Sequence, residues 1–524
     1  MGKDILKEIV EKRKADIERL GLDFGCGVPV ARSRKVHPFI EKKGAILEIK
    51  RASPSKGDIA PDLDAAKTAC QYAKAGARAI SCLTEMNYFK GSLCDFMKAA
   101  AALDQLEAEG EEVPALLRKD FLLSADEVEL SYRAGADAVL LIARILTAQT
   151  MCEMAKKAEE LGISVLIEVR KTEDLEKLSY VMARVNHKNI VCGVNSRDLK
   201  DFSIDMLAPC ALLSEIKKIA EDARVTFESG ILSPDSAAFA AGAGFSAILL
   251  GEAAAKNPEE AGPFVKAFCQ TNENKAGQSW CQYAENLRTR GEGAPSDESA
   301  RRRGAGLCPL VKICGITRKE DALLAAQLGA DFLGFIFWKG SKRNLDADKV
   351  CEIVKAVRKG GYNCKFVGVI VNPEDEEAKA AFRLVREGIL DKIQFHGCKV
   401  PEPSDAAFSD IPRYGAVNIR SEEDLIKLDD LILHGQPRVL IDAQSGNSIG
   451  GTGKTVDADL VKDASKRAKL WLAGGITAEN VRQIIEDFQP ELIDVASGVE
   501  SGPGIKDAEK LRAFFDKVNK LEGK

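Results

Sequence analysis

The sequence predicts an α/β chain of two consecutive (β/α)8 TIM barrels, and three observations carry that prediction. At 524 residues and 56.7 kDa the chain is too long for one ordinary core, whereas a barrel of this class takes about 250 residues. Short apolar runs alternate with helical patterns at intervals of roughly 20 to 35 residues, the mark of βα units around a parallel sheet. A weak repeat recurs as well: KAGARAIS, RAGADAVL, AGAGFSAILL and QLGADFLGF each pass from an Ala-rich helix through Gly into an apolar run. Gly there suits the left-handed residue that ends a helix, with the strand following directly.

Taken in order, Met1 to Leu20 is a charged amphipathic stretch without the apolar core of a signal peptide. Eight strand candidates follow: AILEIKRA from Ala45, ARAISCLTE from Ala77, PALLRKDF from Pro114, ADAVLLIARIL from Ala136, SVLIEVR from Ser164, IVCGVNSR from Ile190, RVTFESG from Arg224 and FSAILLGEA from Phe245. Residues 1–270 are thus one barrel. Thr271 to Pro309, rich in Gly, Ser and charge, reads as a polar linker with a short helix around Trp280 to Leu287. Its triplet Arg301 to Arg303 is assigned to solvated linker rather than to a grip on an acidic partner. Residues 310–524 supply eight more runs: VKICG from Val311, FLGFIF from Phe332, KFVGVIV from Lys365, DKIQFHG from Asp391, GAVNIR from Gly415, RVLIDA from Arg438, LWLAGG from Leu470 and LIDVASG from Leu492.

Composition removes whole classes of function. With 45% hydrophobic and 30% charged residues, collagen-like and largely disordered readings are out. Lys+Arg 75 against Asp+Glu 80 leaves a net charge of −5, so no global basic field draws in nucleic acid or anionic lipid. Neither a signal peptide nor a run of about 18 apolar residues is present, which makes a cytosolic protein the expectation. Fourteen cysteines without a CxxC, and only four histidines without HExxH, leave nothing from which to build a zinc site. Most of the cysteines are expected to be small buried apolar residues, reduced in the cell.

Barrel enzymes work at the C-terminal rim of their strands, so polar residues there carry the information. In AILEIKRASPSKG the period of two sends Glu48 and Lys50 to one side, as a structural ion pair or as part of a site. Lys119 ends the third run, Glu168 lies in LIEVR, Asn195 and Arg197 end the sixth, and Glu228, Ser229 and Gly230 end the seventh. Five such strand ends in one barrel describe a site for a polar, anionic ligand. Ser229, Gly230 and Gly251 stand where barrels commonly bind phosphate. In the second barrel Cys314 ends the first strand and Asp442 the sixth; alone, such residues are usually core and helix cap.

EIKRASPSKG, LTE with YFKGS, LRKDF, LIEVR, VNSRDL and ESGI, in this order, resemble indole-3-glycerol phosphate synthase over about Asp4 to Gln270, and the opening DILKEIVEKRK resembles that family's extra N-terminal helix. That family converts 1-(o-carboxyphenylamino)-1-deoxyribulose 5-phosphate to indole-3-glycerol phosphate, carbon dioxide and water. The resemblance implies that Lys119 is the general acid of ring closure and Glu168 the acid/base of later proton transfers. It implies too that Lys50 and Arg197 hold anionic groups and that Glu48 and Asn195 orient the network. One position departs: Glu252 follows Gly251 where some members carry a phosphate-binding Ser, and its side chain is expected to turn outward.

VKICGITRKEDA, GFIFWKGSKR, IQFHG, LIDA followed by GGTGKT, LAGGIT and DVASGVES resemble phosphoribosylanthranilate isomerase over about Leu310 to Val518. That family opens the furanose of N-(5-phosphoribosyl)anthranilate in an Amadori rearrangement. By resemblance Asp442 is the general acid on the ring oxygen and Cys314 the base that takes the C2 proton, provided its surroundings favour the thiolate. Arg343 would clamp the anthranilate carboxylate, from SKR where many members have SPR. Gly450, Gly451, Gly453, Gly474, Gly475, Ser497 and Gly498 would offer backbone donors to phosphate.

GGTGKT is not a P-loop, because Ser448 stands where that motif needs its first Gly and the strand ends too early. The combined reading is a bifunctional, cofactor-free, monomeric enzyme acting on small phosphorylated substrates, with neither nucleic acid nor membrane as partner. The rival is a phosphate-ligand binding protein that has lost catalysis in one barrel; it requires a missing acid or base, and Lys119, Glu168, Cys314 and Asp442 are all present.

Overall fold

The first eight strands are β1 (Gly44–Ile49), β2 (Ala79–Leu83), β3 (Ala115–Lys119), β4 (Ala138–Ile142), β5 (Ser164–Val169), β6 (Ile190–Asn195), β7 (Arg224–Glu228) and β8 (Ala247–Leu250). All are parallel, each pairs with its sequence neighbours, and β1 pairs with both β2 and β8, which closes the ring. A second closed ring is formed by β9 (Leu310–Cys314), β10 (Phe332–Ile336), β11 (Lys365–Ile370), β12 (Lys392–His396), β13 (Arg413–Asn418), β14 (Val439–Asp442), β15 (Trp471–Ala473) and β16 (Leu492–Val495). In this computed structural model, residues 5–197, 203–292, 308–443 and 458–519 are described, in two units, Met1–Glu273 and Asn274–Lys524. No helix among them is long and apolar enough to cross a membrane.

The strands are apolar because both their faces are covered. AISCL in β2 and AVLLI in β4 are buried at every position, as parallel strands between helices and a filled interior must be. The repeat seen in the sequence marks the helix-to-strand corners. Gly76, Gly135, Gly244 and Gly329 all lie at φ between +84° and +105°, a conformation that costs a residue with a Cβ about 1–2 kcal/mol.

The N-terminal helix, Ile5–Leu20, buries Leu6, Ile9 and Arg13 along one stripe. Arg13 reaches Asp120 at 3.0 Å and also bonds Glu127, while Arg118 meets Asp120 at 3.0 Å. All four side chains are nearly inaccessible, so the helix is held by buried charges that need one another. Asp120 directly follows Lys119, and the anchor therefore ends beside the mouth of the barrel.

Two findings differ from expectation. Cys26 and Cys94 form a disulfide across 68 residues, joining the segment after the N-terminal helix to the start of the Leu93–Ala108 helix. The other twelve cysteines are free, seven of them buried. Within the stretch read as polar linker runs an 18-residue helix, Lys275–Glu292. Trp280, Cys281, Tyr283 and Ala284 on it are buried. Trp280 and Tyr283 pack on Trp471, with ring centroids 6.0 and 5.6 Å away. Tyr283 donates to Glu491, as do Trp471 and Arg438, all at 2.8–2.9 Å. Trp471 and Lys392 begin their strands, so the helix closes the N-terminal end of the second barrel, opposite its mouth. The run looked polar because four buried positions are diluted among charged ones. Arg301 to Arg303 lie outside the described residues.

Candidate active sites

At the C-terminal ends of β1 to β8 lies a cavity of about 180 Å³. Glu48, Lys50, Lys119, Glu168, Asn195, Arg197, Ser229, Gly230 and Gly251 all line it. They come from six strands or the turns after them, which brings positions far apart in the chain into one hollow. Lys119 bridges two carboxylates, Glu48 at 3.0 Å and Glu228 at 3.5 Å, and Lys50 meets the other oxygen of Glu48 at 3.1 Å. Burial alone would raise the Glu48 carboxyl, but the two ammonium groups outweigh it and hold it at about 2. Burial also opposes the Lys119 charge, yet Glu48, Glu228 and Glu168 raise its pKa above the ordinary lysine value. Glu228 goes the other way: burial pushes it up to about 7, against the pull of Lys119, with Glu168 and Glu48 adding to the rise. The hollow thus keeps a charged ammonium beside a carboxyl poised to hold or lose its proton near neutrality.

Missing side chains make the room. A Cβ at Gly193 on β6 would stand 2.0 Å from a Glu228 oxygen, and one at Gly251 would stand 2.7 Å from Glu48. The Asn195 carboxamide oxygen accepts the Arg197 backbone N–H at 3.0 Å and so shapes the β6 turn. Ser229 and Gly230 both sit in the left-handed region, at φ +66° and +74°. Glu252 borders the cavity, and its carboxylate pairs with two exposed lysines, Lys256 at 2.8 Å and Lys56 at 3.6 Å.

Several lining residues went unread in the sequence. Ile5, Leu6 and Ile9 of the N-terminal helix wall the cavity, and so does Phe89, whose ring centre lies 5.5 Å from the Lys50 ammonium. YFKGS held Phe89 in view, and an aromatic beside a cationic strand end was the available signal.

The second barrel is layered. Cys314 and Lys312 alternate with outward residues on β9 and share its inner face. Lys312 bonds Asp494 at 2.6 Å and Gln394 at 2.9 Å, and Tyr414 donates to Gln394 at 3.0 Å. This polar layer lies under the thiol and over the aromatic floor, since Tyr414 also packs on Trp471. The period of two could have found Lys312. Gly334 on β10 leaves the space the thiol fills, because a Cβ there would stand 2.8 Å from Sγ. Burial raises the Cys314 thiol pKa, against Lys312, so the unliganded site keeps its thiol protonated.

Arg343 lies over the residue after Cys314: a Cβ at Gly315 would stand 2.6 Å from Arg343 Cδ. Asp442 ends β14 on the same rim. Gly474 and Gly475 turn the chain after β15 at φ +100° and +60°. Ser497 and Gly498 follow β16, and a Cβ at Gly498 would stand 1.9 Å from the Ile476 carbonyl oxygen, so these two loops touch main chain to main chain. That places the four residues together in the position where barrels hold phosphate. Gly450, Gly451 and Gly453 lie outside the described residues.

Two family models match the chain: indole-3-glycerol phosphate synthase over residues 7–267, and N-(5'-phosphoribosyl)anthranilate isomerase over residues 311–517. A tryptophan biosynthesis protein TrpCF of Vibrio parahaemolyticus is 31% identical over 486 residues, covering 91% of this chain and 85% of that protein. A multifunctional tryptophan biosynthesis protein of Schizosaccharomyces pombe is 31% identical over 507 residues, and the chain spans 60% of its length. A crystal structure of phosphoribosylanthranilate isomerase from Thermotoga maritima is 32% identical, covering 41% of this chain and 100% of that one at a TM-score of 0.36.

Proposed function

The chain belongs to the bifunctional indole-3-glycerol phosphate synthase and phosphoribosylanthranilate isomerase family, and from that premise we infer that it performs two consecutive steps of tryptophan biosynthesis. The barrel of residues 310–524 isomerises N-(5-phosphoribosyl)anthranilate to 1-(o-carboxyphenylamino)-1-deoxyribulose 5-phosphate. The barrel of residues 1–270 converts that product to indole-3-glycerol phosphate with loss of carbon dioxide and water. The observation that carries this reading is the convergence of Lys119, Glu48, Glu168, Lys50 and Arg197 on one cavity, with Lys119 charged and bridging.

In the isomerase, Asp442 protonates the furanose oxygen, the ring opens, and Cys314 takes the C2 proton while Arg343 holds the anthranilate carboxylate. Because the resting thiol is protonated, it must first give its proton to solvent water, and the cationic ring-opened intermediate beside it favours the thiolate that then takes the C2 proton. In the synthase, Lys119 protonates the ketone oxygen as the aromatic carbon attacks. Loss of carbon dioxide restores electrons to the ring, and Glu168 carries the proton transfers of dehydration. Lys50 and Arg197 hold the anionic groups, Glu48 and Asn195 orient them, and Ser229, Gly230 and Gly251 receive phosphate. Every step is proton transfer, addition or elimination, within reach of side-chain acids and bases and needing no cofactor. We place the enzyme in the cytosol as a monomer, the latter reading supported by the floor of the second barrel, which its own helix covers.

The test is separability. Lys119→Ala should abolish indole-3-glycerol phosphate formation and let the aminodeoxyribulose phosphate accumulate, and Cys314→Ala should do the reverse. Loss of both activities from one substitution in a folded chain would sink the two-site reading.

A further inference from the structure

Arg343 does not stand alone at the rim of the second barrel. Its Nε lies 2.9 and 3.2 Å from the two oxygens of Glu500, and its Nη2 lies 2.6 Å from Oε2. Glu500 opens a short hairpin, Glu500–Gly502 with Ile505–Lys506, that follows β16, and its register partner is Lys506. Lys506 spends its three N–H donors on Glu500 at 2.9 Å, the Cys314 carbonyl at 2.6 Å and the Ala496 carbonyl at 3.0 Å. The Gly504 N–H adds a fourth contact, to Glu500 at 3.2 Å. Glu500 is 7% exposed and Lys506 3%, so neither bond competes with bulk water.

This geometry uses one edge of the guanidinium and leaves another. A side-on pair through Nε and Nη2 fixes the plane of Arg343 and turns its remaining N–H fork, Nη1 with the outer hydrogen of Nη2, toward a second planar anion. Two cations and one carboxylate leave a net charge of +1, matched to one further carboxylate. Lys506 meanwhile ties the same Glu500 to the backbone of Cys314, so the residue that receives the carboxylate and the residue that takes the proton hang from a common post.

We propose that Glu500 and Lys506 are positioning residues of the isomerase, which set the orientation of Arg343 toward the anthranilate carboxylate and its spacing from Cys314. The proposal rests on the isomerase reading above and assigns the job of substrate discrimination to a hairpin outside the barrel.

The full-length chain tests it through inhibition of isomerisation. Two inhibitors are compared, reduced 1-(o-carboxyphenylamino)-1-deoxyribulose 5-phosphate and the same compound without its ring carboxylate. Glu500→Gln is expected to weaken the first by about tenfold, the size expected when a charge-assisted pair is lost, and the second by less than about twofold. Lys506→Met should shift the same ratio and lower kcat as well, because Cys314 loses its tether. Equal weakening of both inhibitors would make Glu500 a structural residue and overturn the proposal. Tighter binding of the carboxylate compound would make Glu500 a competitor for Arg343 and overturn it too. If Glu500→Gln fails to fold, Glu500→Asp, which keeps the charge but withdraws it by one methylene, carries the same ratio. An unmodified chain that turns over no phosphoribosylanthranilate would instead sink the isomerase reading.

Discussion

The two barrels share a topology and solve the same problem, proton transfer on an anionic sugar phosphate, from opposite resting states. In the first, the working groups are charged before substrate arrives: Lys119 is held as an ammonium by Glu48 and Glu228, and Glu48 stays ionised between two lysines. In the second, the Cys314 thiol rests neutral over a buried Lys312–Asp494 pair. On the roles proposed above, preformed charge suits an acid that protonates a ketone, and a thiol held neutral at rest is guarded from side reactions until a cationic intermediate favours its thiolate.

That contrast can be broken most strongly at Glu48. Glu48→Gln takes from Lys50 and Lys119 their shared carboxylate and leaves Lys119 only Glu228, so the first barrel should lose about 1–3 kcal/mol of stability and most of its indole-3-glycerol phosphate formation. Cys314→Ser is nearly isosteric and carries no resting charge; isomerisation should fall at least about a hundredfold while stability changes by less than about 1.5 kcal/mol. Calorimetry with separate assays of the two reactions reads both, and an unfolded Cys314→Ser barrel would erase the contrast. Next in size, Trp280→Ala should cost the second barrel about 3 kcal/mol through lost packing on Trp471 and leave the first barrel's transition in place.

Titration sharpens the comparison further. Isomerase kcat/KM, which reports the free enzyme, should climb with pH about tenfold per unit until the thiol ionises, above the ordinary cysteine range, and Cys314→Asp should move the climb to acid. In the first barrel Glu228 has its folded pKa raised, so the stability it contributes is complete below about 4.5 and is lost as pH rises through about 7. Glu228→Gln should flatten that fall in a melting series.

The smallest effect concerns Lys392, buried at the start of β12 with its ammonium 3.9 Å from the Trp280 ring centre and about 7 as its pKa. Burial depresses it from 10.5, so the destabilisation it causes is absent above that value, grows as pH falls and is complete below about 7. Lys392→Met should raise the melting point of the second barrel at pH 6, by about 1 kcal/mol in free energy, with the gain fading toward pH 10.

Sixteen strands were legible because parallel strands buried on both sides are dense apolar runs, and because a left-handed Gly, such as Gly76, Gly135, Gly244 or Gly329, marks several of the corners where they begin. The rim residues of the first barrel were legible for the converse reason: Lys119, Glu168 and Asn195 interrupt apolar runs where nothing structural requires a charge. Legibility ended wherever a partner came from a distant element. Nothing near Glu500 in the sequence points to Arg343, 157 residues earlier, and nothing near Cys26 points to Cys94. Nothing near Glu252 points to Lys56, which pairs with it from the loop after β1. The helix expected around Trp280 to Leu287 was read too short and too polar, because only one narrow stripe of Lys275–Glu292 is buried.

That helix also decides where a gene for this chain could be cut in two. Division after Glu273 would hand each daughter a finished barrel. Division at Leu307 would strand Trp280 and Tyr283 on the wrong daughter, an oily tail on one product and an open base on the other, so fission has only one harmless seam here.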